Sequence, residues 1–481
     1  MKKLQLFVAN LALWLACLPG AILYLGSLLF PRFAQDLVLS KILSKTGIES
    51  DEFKELPVTY YEDYREQLEE LRVSGTGSLT SEPVLYLAPT SGSLGARKLI
   101  PYTASLKQAF RRGIDPWIFL LYVRYPKLFL RRQFWLVTLS DKQYDDKENA
   151  VRVGYDEDEE YLGSFQRWLL GKVWVRIPQN SDESLEDYLV RAAGELTQVH
   201  DLGLVSVWSP SLVLGPLGVL KTRRPIGWKG VMSCWADGFA QEETAKLQEL
   251  MPQSSVQPKG LISTEAFCTV PLGSKLHLLS YASHYFEFRE TEASPPLVAS
   301  ELENGKSYEL IVTTQSGLLR YATGDRVRIE TVFCGHPSIR FVGRSKTSDL
   351  RGEKLHEEFV GEVVSRCFDK LGVAASFWFV APRLSDTTPQ YVMYLSADEE
   401  VDLSAIAVEV EEQFCESYHY NLCQQYGQLL PLAVTKVADN NPEMLFIQQT
   451  AKLTGAKPGS VKVSRLSTLS GWDEFFSSQA Q

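Results

Sequence analysis

The sequence predicts an α/β protein of two domains, and three stretches of the chain carry that prediction. Strand-like, helix-spaced and strand-like runs follow one another at 173–177, 181–200 and 204–208, which is the pattern of a βαβ unit in a mostly parallel sheet. Short β-rich runs separated by Gly, Asp and Pro turns begin at Glu309 and predict an antiparallel meander. After Arg344 the pattern alternates between helix and strand, which is typical of a compact α+β unit.

The chain length fits this division. At about 150 residues per domain, 481 residues correspond to about three domain-sized units or to one large and one small domain. The boundary is predicted near Ser345, which gives a large domain over 1–345 and a small one over 346–481. Within the small domain we expect helices at 355–371, 403–426 and 444–453 and strands at 376–381, 391–396 and 431–437.

Composition and charge exclude several classes of protein. Hydrophobic residues make up 45% of the chain, enough to bury a sizeable core, so general disorder is excluded. The formal net charge is −10, whereas binding to a phosphate backbone requires a positive surface. We therefore expect no nucleic-acid partner.

The seven cysteines include no CxxC pair, which argues against a disulfide framework or a zinc ribbon. Cys415, His419 and Cys423 would line one face of a continuous helix, a geometry that a metal could use, but a fourth ligand is missing nearby. The alternative is that these cysteines are small buried apolar residues.

The first thirty residues are strongly apolar, with no charged side chain from Leu4 to Phe30. Pro19-Gly20 is expected to divide this stretch into two helices, each shorter than the ~20 residues that a membrane span requires. Three alternatives stay open: short helices packed on the protein or on a membrane surface, a membrane anchor, and a signal peptide, for which no good cleavage site follows.

A candidate phosphate-binding loop follows a predicted strand at 83–88. It reads TSGSLGARK at 90–98, and small hydroxyl and glycine residues let backbone N–H groups surround an anion, to which Lys98 adds charge. The loop matches neither the Walker A nor the Rossmann pattern. An ordinary surface turn is the alternative interpretation.

Three later segments favour the phosphate loop. They read GLISTE at 260–265, LRYATGDRV at 319–327 and FVGRSKTSDLRGEKL at 341–355, with Asp325 expected at a turn between strands. Together with the loop, they occur in the order used by adenylate-forming enzymes. Within that superfamily the chain resembles the auxin-responsive Gretchen Hagen family of acyl-acid amido synthetases, especially its bacterial members. The resemblance covers nearly the whole chain and includes FKELPVTYYEDY at 53–64, CWADG at 234–238, HYFEF at 284–288 and GAKPGSVKVSRL at 455–466.

The resemblance implies the adenylate-forming enzyme fold: a large N-terminal α/β domain with a β-barrel-like subdomain, and a smaller, mobile C-terminal α+β domain. It also implies roles for individual residues. The ATP phosphates would be held by the loop residues Thr90, Ser91, Gly92, Ser93 and Gly95.

Further roles follow from the same resemblance. Lys98 would lie close to the phosphates, Thr264 would contact the α-phosphate, and Glu265 would hold Mg²⁺. Tyr321, Asp325 and Arg344 would contact the nucleotide, with Asp325 on the ribose hydroxyls. Lys462 would approach the reacting phosphate from the C-terminal domain, and Lys346 would lie at the hinge.

The reaction that the resemblance implies needs ATP, Mg²⁺, a small carboxylic acid and an amine, most simply an amino acid. The acid would become an acyl-adenylate that the amine then attacks. A thioester-forming ligase and a non-catalytic membrane-associated scaffold are the alternatives.

Because ATP is cytosolic, the expected location is the cytoplasm, with contact to the inner face of a membrane through residues 1–30 left open. The candidates for the acyl pocket are Trp117, Tyr122 and Trp135. The alternative for each is that it packs in the core.

Overall fold

The computed structural model describes residues 3–75, 77, 79–89, 98–136, 150–154, 163–180, 183, 185–208, 210–219, 228–237, 240–291, 293–344, 347–348, 350–351, 353, 355–385, 388–397, 400–425, 427–437, 441–454, 461 and 463–479. These residues form two compact units, one that ends at Phe341 and one that begins at Val342. The sequence places the boundary four residues later, near Ser345.

Four helices open the first unit: α1 (Lys3–Leu29), α2 (Pro31–Thr46), α3 (Ser50–Glu55) and α4 (Tyr61–Ser74). The predicted break at Pro19-Gly20 is wrong, because α1 is one helix with Pro19 inside it. Its packing explains why. A Cβ added at Gly20 would lie 2.4 Å from the Cβ of Asp115 on α5 (Ala104–Arg124), so the glycine lets the two helices approach closely. This tertiary contact outweighs the local cost of proline.

A two-stranded hairpin lies between α4 and α5. It consists of β1 (Val84–Pro89) and β2 (Leu99–Thr103), which pair antiparallel. The strand predicted at 83–88 is confirmed. A 3-10 turn, Pro126–Leu130, follows α5.

The parallel sheet consists of β3 (Arg132–Trp135), β4 (Leu202–Ser206), β5 (Val231–Cys234) and β6 (Ser255–Pro258), in that spatial order. All three pairings are parallel, which confirms the predicted sheet type. The helices of this region are α6 (Ser164–Val173), α7 (Leu185–Thr197), α8 (Ser211–Val219) and α9 (Ala240–Leu250).

One strand of the predicted βαβ unit is misplaced. The run at 173–177 is not a strand: Val173 ends α6, and Trp174 makes only an isolated bridge to Gln133. The strand that pairs with β4 is β3. A short apolar run can belong to a helix end as well as to a strand, and its periodicity does not separate the two.

Both faces of the parallel sheet are buried. Leu204 and Val231 belong to one apolar core, whereas Phe134, Val205 and Met232 belong to another. The second core also contains residues of α7, α8 and α9. This two-sided burial is expected of a parallel sheet, and it leaves the carboxyl ends of the strands as the edge where polar groups collect.

The six-stranded sheet contains β7 (Thr269–Pro271), β8 (His277–Leu279), β9 (Tyr285–Arg289), β10 (Ser307–Thr313), β11 (Tyr321–Phe333) and β12 (His336–Arg344). Its spatial order is β7-β8-β12-β11-β10-β9. Antiparallel pairing of β9 with β10 and of β10 with β11 confirms the antiparallel character of the predicted meander. The turn predicted around Asp325 is wrong, because this residue lies inside β11.

The second unit has its own sheet, in which β15 (Ala375–Arg383) pairs antiparallel with β16 (Gln390–Ala397) and β16 pairs parallel with β17 (Leu430–Lys436). A small hairpin joins β13 (Thr347–Ser348) and β14 (Leu355–His356). The helices are α10 (Glu357–Leu371), α11 (Leu403–Phe414), α12 (Tyr418–Gln425), α13 (Pro442–Thr454) and α14 (Trp472–Gln479). These elements confirm the predicted α+β character.

The helix predicted over 403–426 is in fact two helices. The N–H groups of Glu416 and Ser417 donate three residues back rather than four, which tightens and ends α11. Cys415 therefore lies at the end of α11 and Cys423 in α12, so they do not line one face of a single helix. Among the described residues no group of three or more His, Cys, Asp or Glu side chains could hold a metal ion.

Candidate active site

Five of the site residues that were inferred from the sequence are described with their side chains: Lys98, Thr264, Glu265, Tyr321 and Asp325. Arg344 is the last residue of β12, and only its backbone is described. The other site residues lie outside the described residues: Thr90, Ser91, Gly92, Ser93, Gly95, Lys346 and Lys462.

Lys98 stands at the start of β2, where the chain re-enters the hairpin. Its Nζ lies 5.5 Å from the centroid of the Tyr61 ring, on α4. The Tyr61 hydroxyl accepts a 2.9 Å hydrogen bond from the backbone N–H of Leu99. Helix α4 therefore contacts both the ammonium group and the first residue of β2.

Thr264 and Glu265 lie at the tip of a tight loop between β6 and β7. Ile262 and Phe267 form an antiparallel bridge across the loop. Inside it, the N–H of Ser263 donates to the carbonyl of Ala266, and the Ser263 hydroxyl accepts from the N–H of Ala266. The short closed turn projects the threonine and the glutamate from its end.

Phe267 anchors this loop in the core. A Cβ added at Gly113 of α5 would lie 2.0 Å from the Phe267 ring, so the helix can pack there only because this position is glycine. The Phe267 N–H donates to Nε2 of His284 at 3.2 Å, and the Ser283 hydroxyl donates to the Phe267 carbonyl at 2.9 Å. Burial lowers the pKa of His284 to about 3, so its ring is neutral at pH 7 and can accept that bond.

The hairpin and the loop are joined directly. The Tyr102 hydroxyl of β2 donates a 2.7 Å hydrogen bond to the backbone carbonyl of Thr264. The next residue, Thr103, donates through its hydroxyl to the carbonyl of Gln315 at 3.4 Å, in the connection between β10 and β11. Strand β2 is thus tied to the second motif and to the connection that leads into the third.

Glu265 is buried, with 5% of its surface exposed. It forms no hydrogen bond and no ion pair with any residue that the structure describes. An isolated buried carboxylate is strongly unfavourable unless a cation or a donor compensates its charge. Other buried acidic residues of this unit are paired, such as Glu309 with Arg289, so the carboxylate of Glu265 is available for a ligand.

Asp325 occupies a β-bulge rather than a turn. Opposite it, the pairing register of β10 shifts between Glu309 and Ile311, so that β11 has extra residues there. Gly324 has a φ of 75°, which a side-chain-bearing residue rarely adopts. The Thr323 hydroxyl donates to the Leu310 carbonyl and accepts from the Asp325 N–H, which fixes the bulge. Bulges redirect side chains and occur next to active sites.

Arg320, the residue before Tyr321, is a structural anchor that the sequence did not predict. Arg320 has a φ of 47°, unusual for a residue other than glycine. Its guanidinium pairs with the buried Glu287 at 3.0 Å and donates to the carbonyl of Lys54 at 3.1 Å. Burial raises the pKa of Glu287, and the Arg320 charge opposes that rise. This network holds the start of β11, and so the third motif, against β9 and α3.

A second missed feature lies just beyond the carboxyl end of β5. Nδ1 of His277 is 3.2 Å from a carboxylate oxygen of Asp237, and both side chains are almost completely buried. The only signal in the sequence is the motif CWADG, which contains Asp237. The pair joins β5 of the parallel sheet to β8 of the antiparallel sheet.

Aromatic residues gather at the same edge of the parallel sheet. Nζ of Lys259, which follows β6, lies 4.4 Å from the Trp208 ring centroid and 5.8 Å from that of Trp117. Trp117 also packs edge to face against Trp135. Tyr122 differs from these residues, because its hydroxyl is bound inside the core by Asn10 and Gln133. Of the three proposed pocket residues, Trp117 and Trp135 lie at this edge and Tyr122 does not.

Solved structures with the same overall fold belong to adenylate-forming enzymes. The GH3.15 acyl acid amido synthetase in complex with 2,4-DB aligns over 93% of each chain, with a TM-score of 0.74 and 18% identity. A 2-hydroxyisobutyryl-CoA ligase in complex with 2-HIB-AMP covers 93% of this chain and 90% of its own, with a TM-score of 0.52 and 12% identity. These likenesses confirm the predicted fold.

Curated relatives match shorter stretches. A human GH3 domain-containing protein is 35% identical over 17% of this chain and 15% of its own length. A probable indole-3-acetic acid-amido synthetase of rice is 35% identical over 19% of this chain and 21% of its own. An Arabidopsis thaliana indole-3-acetic acid-amido synthetase is 38% identical over 18% and 16%. The matched stretches thus span about a fifth or less of these relatives.

Family models extend further along the chain. The GH3 family N-terminal domain matches residues 33–223, and the GH3 family central domain matches residues 277–344. Two models of one family therefore cover more than half of the sequence, and the protein belongs to the GH3 family.

Proposed function

We propose that this protein is an ATP-dependent ligase that activates a small carboxylic acid as an acyl-adenylate and then forms an amide with an amine, most simply an amino acid. The observation that carries the proposal is the Tyr102–Thr264 hydrogen bond, which holds the buried, unpaired Glu265 beside the hairpin that bears the loop 90–97. Names of relatives, indole-3-acetic acid-amido synthetase and acyl acid amido synthetase, support it.

The chemistry requires two anions to meet. A carboxylate oxygen of the acid attacks the α-phosphorus of ATP, a P–O bond forms, and pyrophosphate leaves with the electrons of the bond that breaks. Positive charge near the phosphates lowers the cost of this approach. In the proposed site Lys98 supplies that charge, and Thr264 presents its hydroxyl to the α-phosphate.

Glu265 fits a magnesium ion. Mg²⁺ prefers carboxylate oxygen and is commonly held by one or two carboxylates together with substrate phosphates. When bound, the ion would neutralise charge that develops on the phosphoryl oxygens. The burial of Glu265 without a protein cation is the observation that suits this role.

The nucleoside would lie against β11. Asp325 on its bulge would accept hydrogen bonds from the ribose hydroxyls, and Tyr321, whose backbone bridges to Thr59, would stand beside it. From the resemblance, Thr90, Ser91, Gly92, Ser93 and Gly95 would hold the phosphates, Arg344 would contact the nucleotide, and Lys462 would approach the reacting phosphate.

The acid would bind at the carboxyl edge of the parallel sheet. Ligands of open α/β sheets bind at this edge, and here it carries Trp117, Trp135, Trp208 and Lys259. The acyl-adenylate is a mixed anhydride that water would hydrolyse, so the site must exclude water until the amine arrives. The amine nitrogen then attacks the acyl carbon, the bond from that carbon to the phosphate oxygen breaks, and AMP leaves while the nitrogen gives up a proton to solvent. Because free ATP is cytosolic and no disulfide joins any of the seven cysteines, all of which the structure describes, we propose that the reaction takes place in the cytoplasm.

Product analysis tests the proposal. The purified chain is incubated with ATP, Mg²⁺, a panel of aromatic, fatty and short acids, and either mixed amino acids or coenzyme A, and the products are identified by mass spectrometry. We expect AMP, pyrophosphate and an N-acyl amino acid. An acyl-CoA in place of the amide would make the protein a thioester-forming ligase, and no adenylate with any acid would favour the scaffold.

A further inference from the structure

The outer side of α1 is a long exposed apolar surface. No charged residue lies between Leu4 and Phe30. Leu4, Ile22 and Leu29 are 72%, 61% and 75% exposed. At 1.5 Å per residue this helix of 27 residues extends about 40 Å. One stripe of the helix is buried instead, at Leu6, Asn10, Leu13, Cys17, Ala21, Tyr24 and Ser27.

Neighbouring elements enlarge this surface. Phe30 and Phe33, directly after α1, are both exposed. On α6, which packs on α1 through Gln166, the exposed rings of Phe165 and Trp168 stack with their centroids 6.1 Å apart. Exposed apolar side chains in such number on neighbouring helices are unusual on soluble monomers and mark interaction sites. We call the exposed residues of α1, with Phe30, Phe33, Phe165 and Trp168, the α1 face.

Helix α1 is fixed to the body of the protein by polar contacts in its buried stripe. Nδ2 of Asn10 donates to the carbonyls of Phe129 and Arg131 at 3.2 and 3.1 Å. Its Oδ1 accepts from the Tyr122 hydroxyl and from Nε2 of Gln133. By length and composition α1 is also able to cross a membrane. Crossing would break this buried network, whereas lying on a surface leaves it intact.

The helices beside the α1 face are rich in cations although the whole protein is acidic. The segments 3–46, 104–136 and 163–180, which contain α1, α2, α5 and α6, hold fourteen Lys and Arg residues against two Asp residues. Of these cations, Lys45, Arg111 and Arg132 are paired with Glu82, Asp115 and Asp201. Of the two Asp residues, Asp115 is buried. Among the exposed cations is Lys172, whose Nζ lies 5.1 Å from the Trp168 ring centroid. Since the chain carries a net charge of −10, this basic region is a local feature.

We propose that the α1 face docks on a lipid bilayer that contains anionic lipid, with α1 lying in the plane of the headgroups. An apolar helix face bordered by cations and exposed Trp and Phe side chains is the arrangement of interfacial helices. The apolar side chains enter the acyl boundary, and the surrounding Lys and Arg side chains neutralise lipid headgroups. The proposal does not depend on the proposed ligase activity.

Vesicle sedimentation of the full chain tests it. The protein is mixed with vesicles of phosphatidylcholine alone or with about a third phosphatidylglycerol, at low and high salt. We expect binding that is at least ~10-fold stronger to the anionic vesicles and weaker at high salt. The variant Ile22→Gln/Leu25→Gln changes two exposed side chains and should lose at least ~10-fold in binding while its thermal unfolding is unchanged. Lys127→Glu/Lys172→Glu should lose the preference for anionic lipid.

Four results would overturn the proposal. Absence of wild-type binding to the anionic vesicles would do so, as would undiminished binding of the Ile22→Gln/Leu25→Gln variant. The wild-type chain could instead dimerise without lipid and fail to bind vesicles, while the variant stays monomeric. That result would assign the α1 face to a second copy of this chain. Retention of the full chain in cell membranes after alkaline carbonate extraction would instead make α1 a spanning helix.

Discussion

The hydroxyl of Tyr102 donates a 2.7 Å hydrogen bond to the backbone carbonyl of Thr264. One end of this bond belongs to the hairpin β1–β2, and the other to the loop that presents Glu265. The two motifs are 162 residues apart in the chain, and this bond sets their relative position.

Tyr102→Phe should therefore act as a positioning mutation. Loss of one buried hydrogen bond costs about 1 kcal/mol of folding stability, which the protein should tolerate. The KM for ATP should rise several-fold and kcat for pyrophosphate exchange should fall, because the loop shifts relative to the phosphates. Tyr86→Phe is the matched control, since Tyr86 stacks on Tyr102 at 4.9 Å and contributes another hydroxyl of the same hairpin. Equal kinetics for the two variants would reduce the bond to a structural role.

Asp325→Asn should weaken ATP binding about 10-fold or more. An ionised carboxylate can accept from both ribose hydroxyls, and the amide retains only one acceptor without the charge. Affinity for the acid should change little. Titration of ATP by calorimetry measures this, with Glu330→Gln, an exposed residue of the same strand, as control. Unchanged ATP affinity would leave Asp325 a residue that only shapes the bulge.

Much of this site could be predicted from the sequence because its motifs are local. The order of TSGSLGARK, GLISTE and RYATGDRV identifies the site residues before any contact is known. What the motifs could not predict is the backbone form around them. Asp325 was expected in a turn, since Gly-Asp is typical of turns, but the pairing of β11 with β10 extends through it as a bulge. Pairing between strands is a tertiary property that no short segment contains.

The N-terminal helix is a second case. Pro19-Gly20 is a local signal to end a helix, and the prediction of two helices followed from it. The structure keeps one helix because Gly20 packs against Asp115 and the buried stripe spans the whole length of α1. The roles of Arg320 and of the Asp237–His277 pair could not be predicted for a related reason. Arg320 pairs with Glu287, 33 positions away, and His277 pairs with Asp237, 40 positions away.

Asp115→Asn should stabilise the protein at neutral pH. Burial raises the pKa of Asp115 from 3.8 to about 6, opposed by the charge of Arg111. Because the folded state binds this proton more tightly than the unfolded state, the contribution of Asp115 to stability is greatest below about pH 4 and declines as the pH rises to about 6. At pH 7.5 the variant should gain about 2–3 kcal/mol in the free energy of unfolding.

Urea unfolding at pH 4 and pH 7.5 measures this difference, which should nearly vanish at the lower pH. Asp51→Asn, at an exposed position, provides the control and should show no comparable gain. If Asp115→Asn proved less stable than the wild type at pH 7.5, the ion pair with Arg111, at 3.7 Å, would outweigh burial.

Lys462→Ala should lower the rate of adenylation by about 10²–10³, because the resemblance assigns this cation to the charge that develops on the reacting phosphate. Thermal stability should change little. Lys452→Ala, an exposed lysine of α13, is the control and should adenylate at the wild-type rate. A Lys462→Ala variant with wild-type adenylation would remove this residue from the site.

The most direct test of the central claim is ATP–pyrophosphate exchange measured for the wild type and for Glu265→Gln with a panel of acids and Mg²⁺. The buried carboxylate has no partner among the described residues, so its neutral replacement should leave stability unchanged or raise it while exchange falls at least ~100-fold. Glu287→Gln is the contrasting control: it leaves the buried Arg320 unpaired and should cost about 3–5 kcal/mol of stability. The predicted result is that the wild type catalyses exchange and that Glu265→Gln does so at least ~100-fold more slowly. The account would be contradicted if the variant exchanged at the wild-type rate, or if the wild type showed no exchange with any acid.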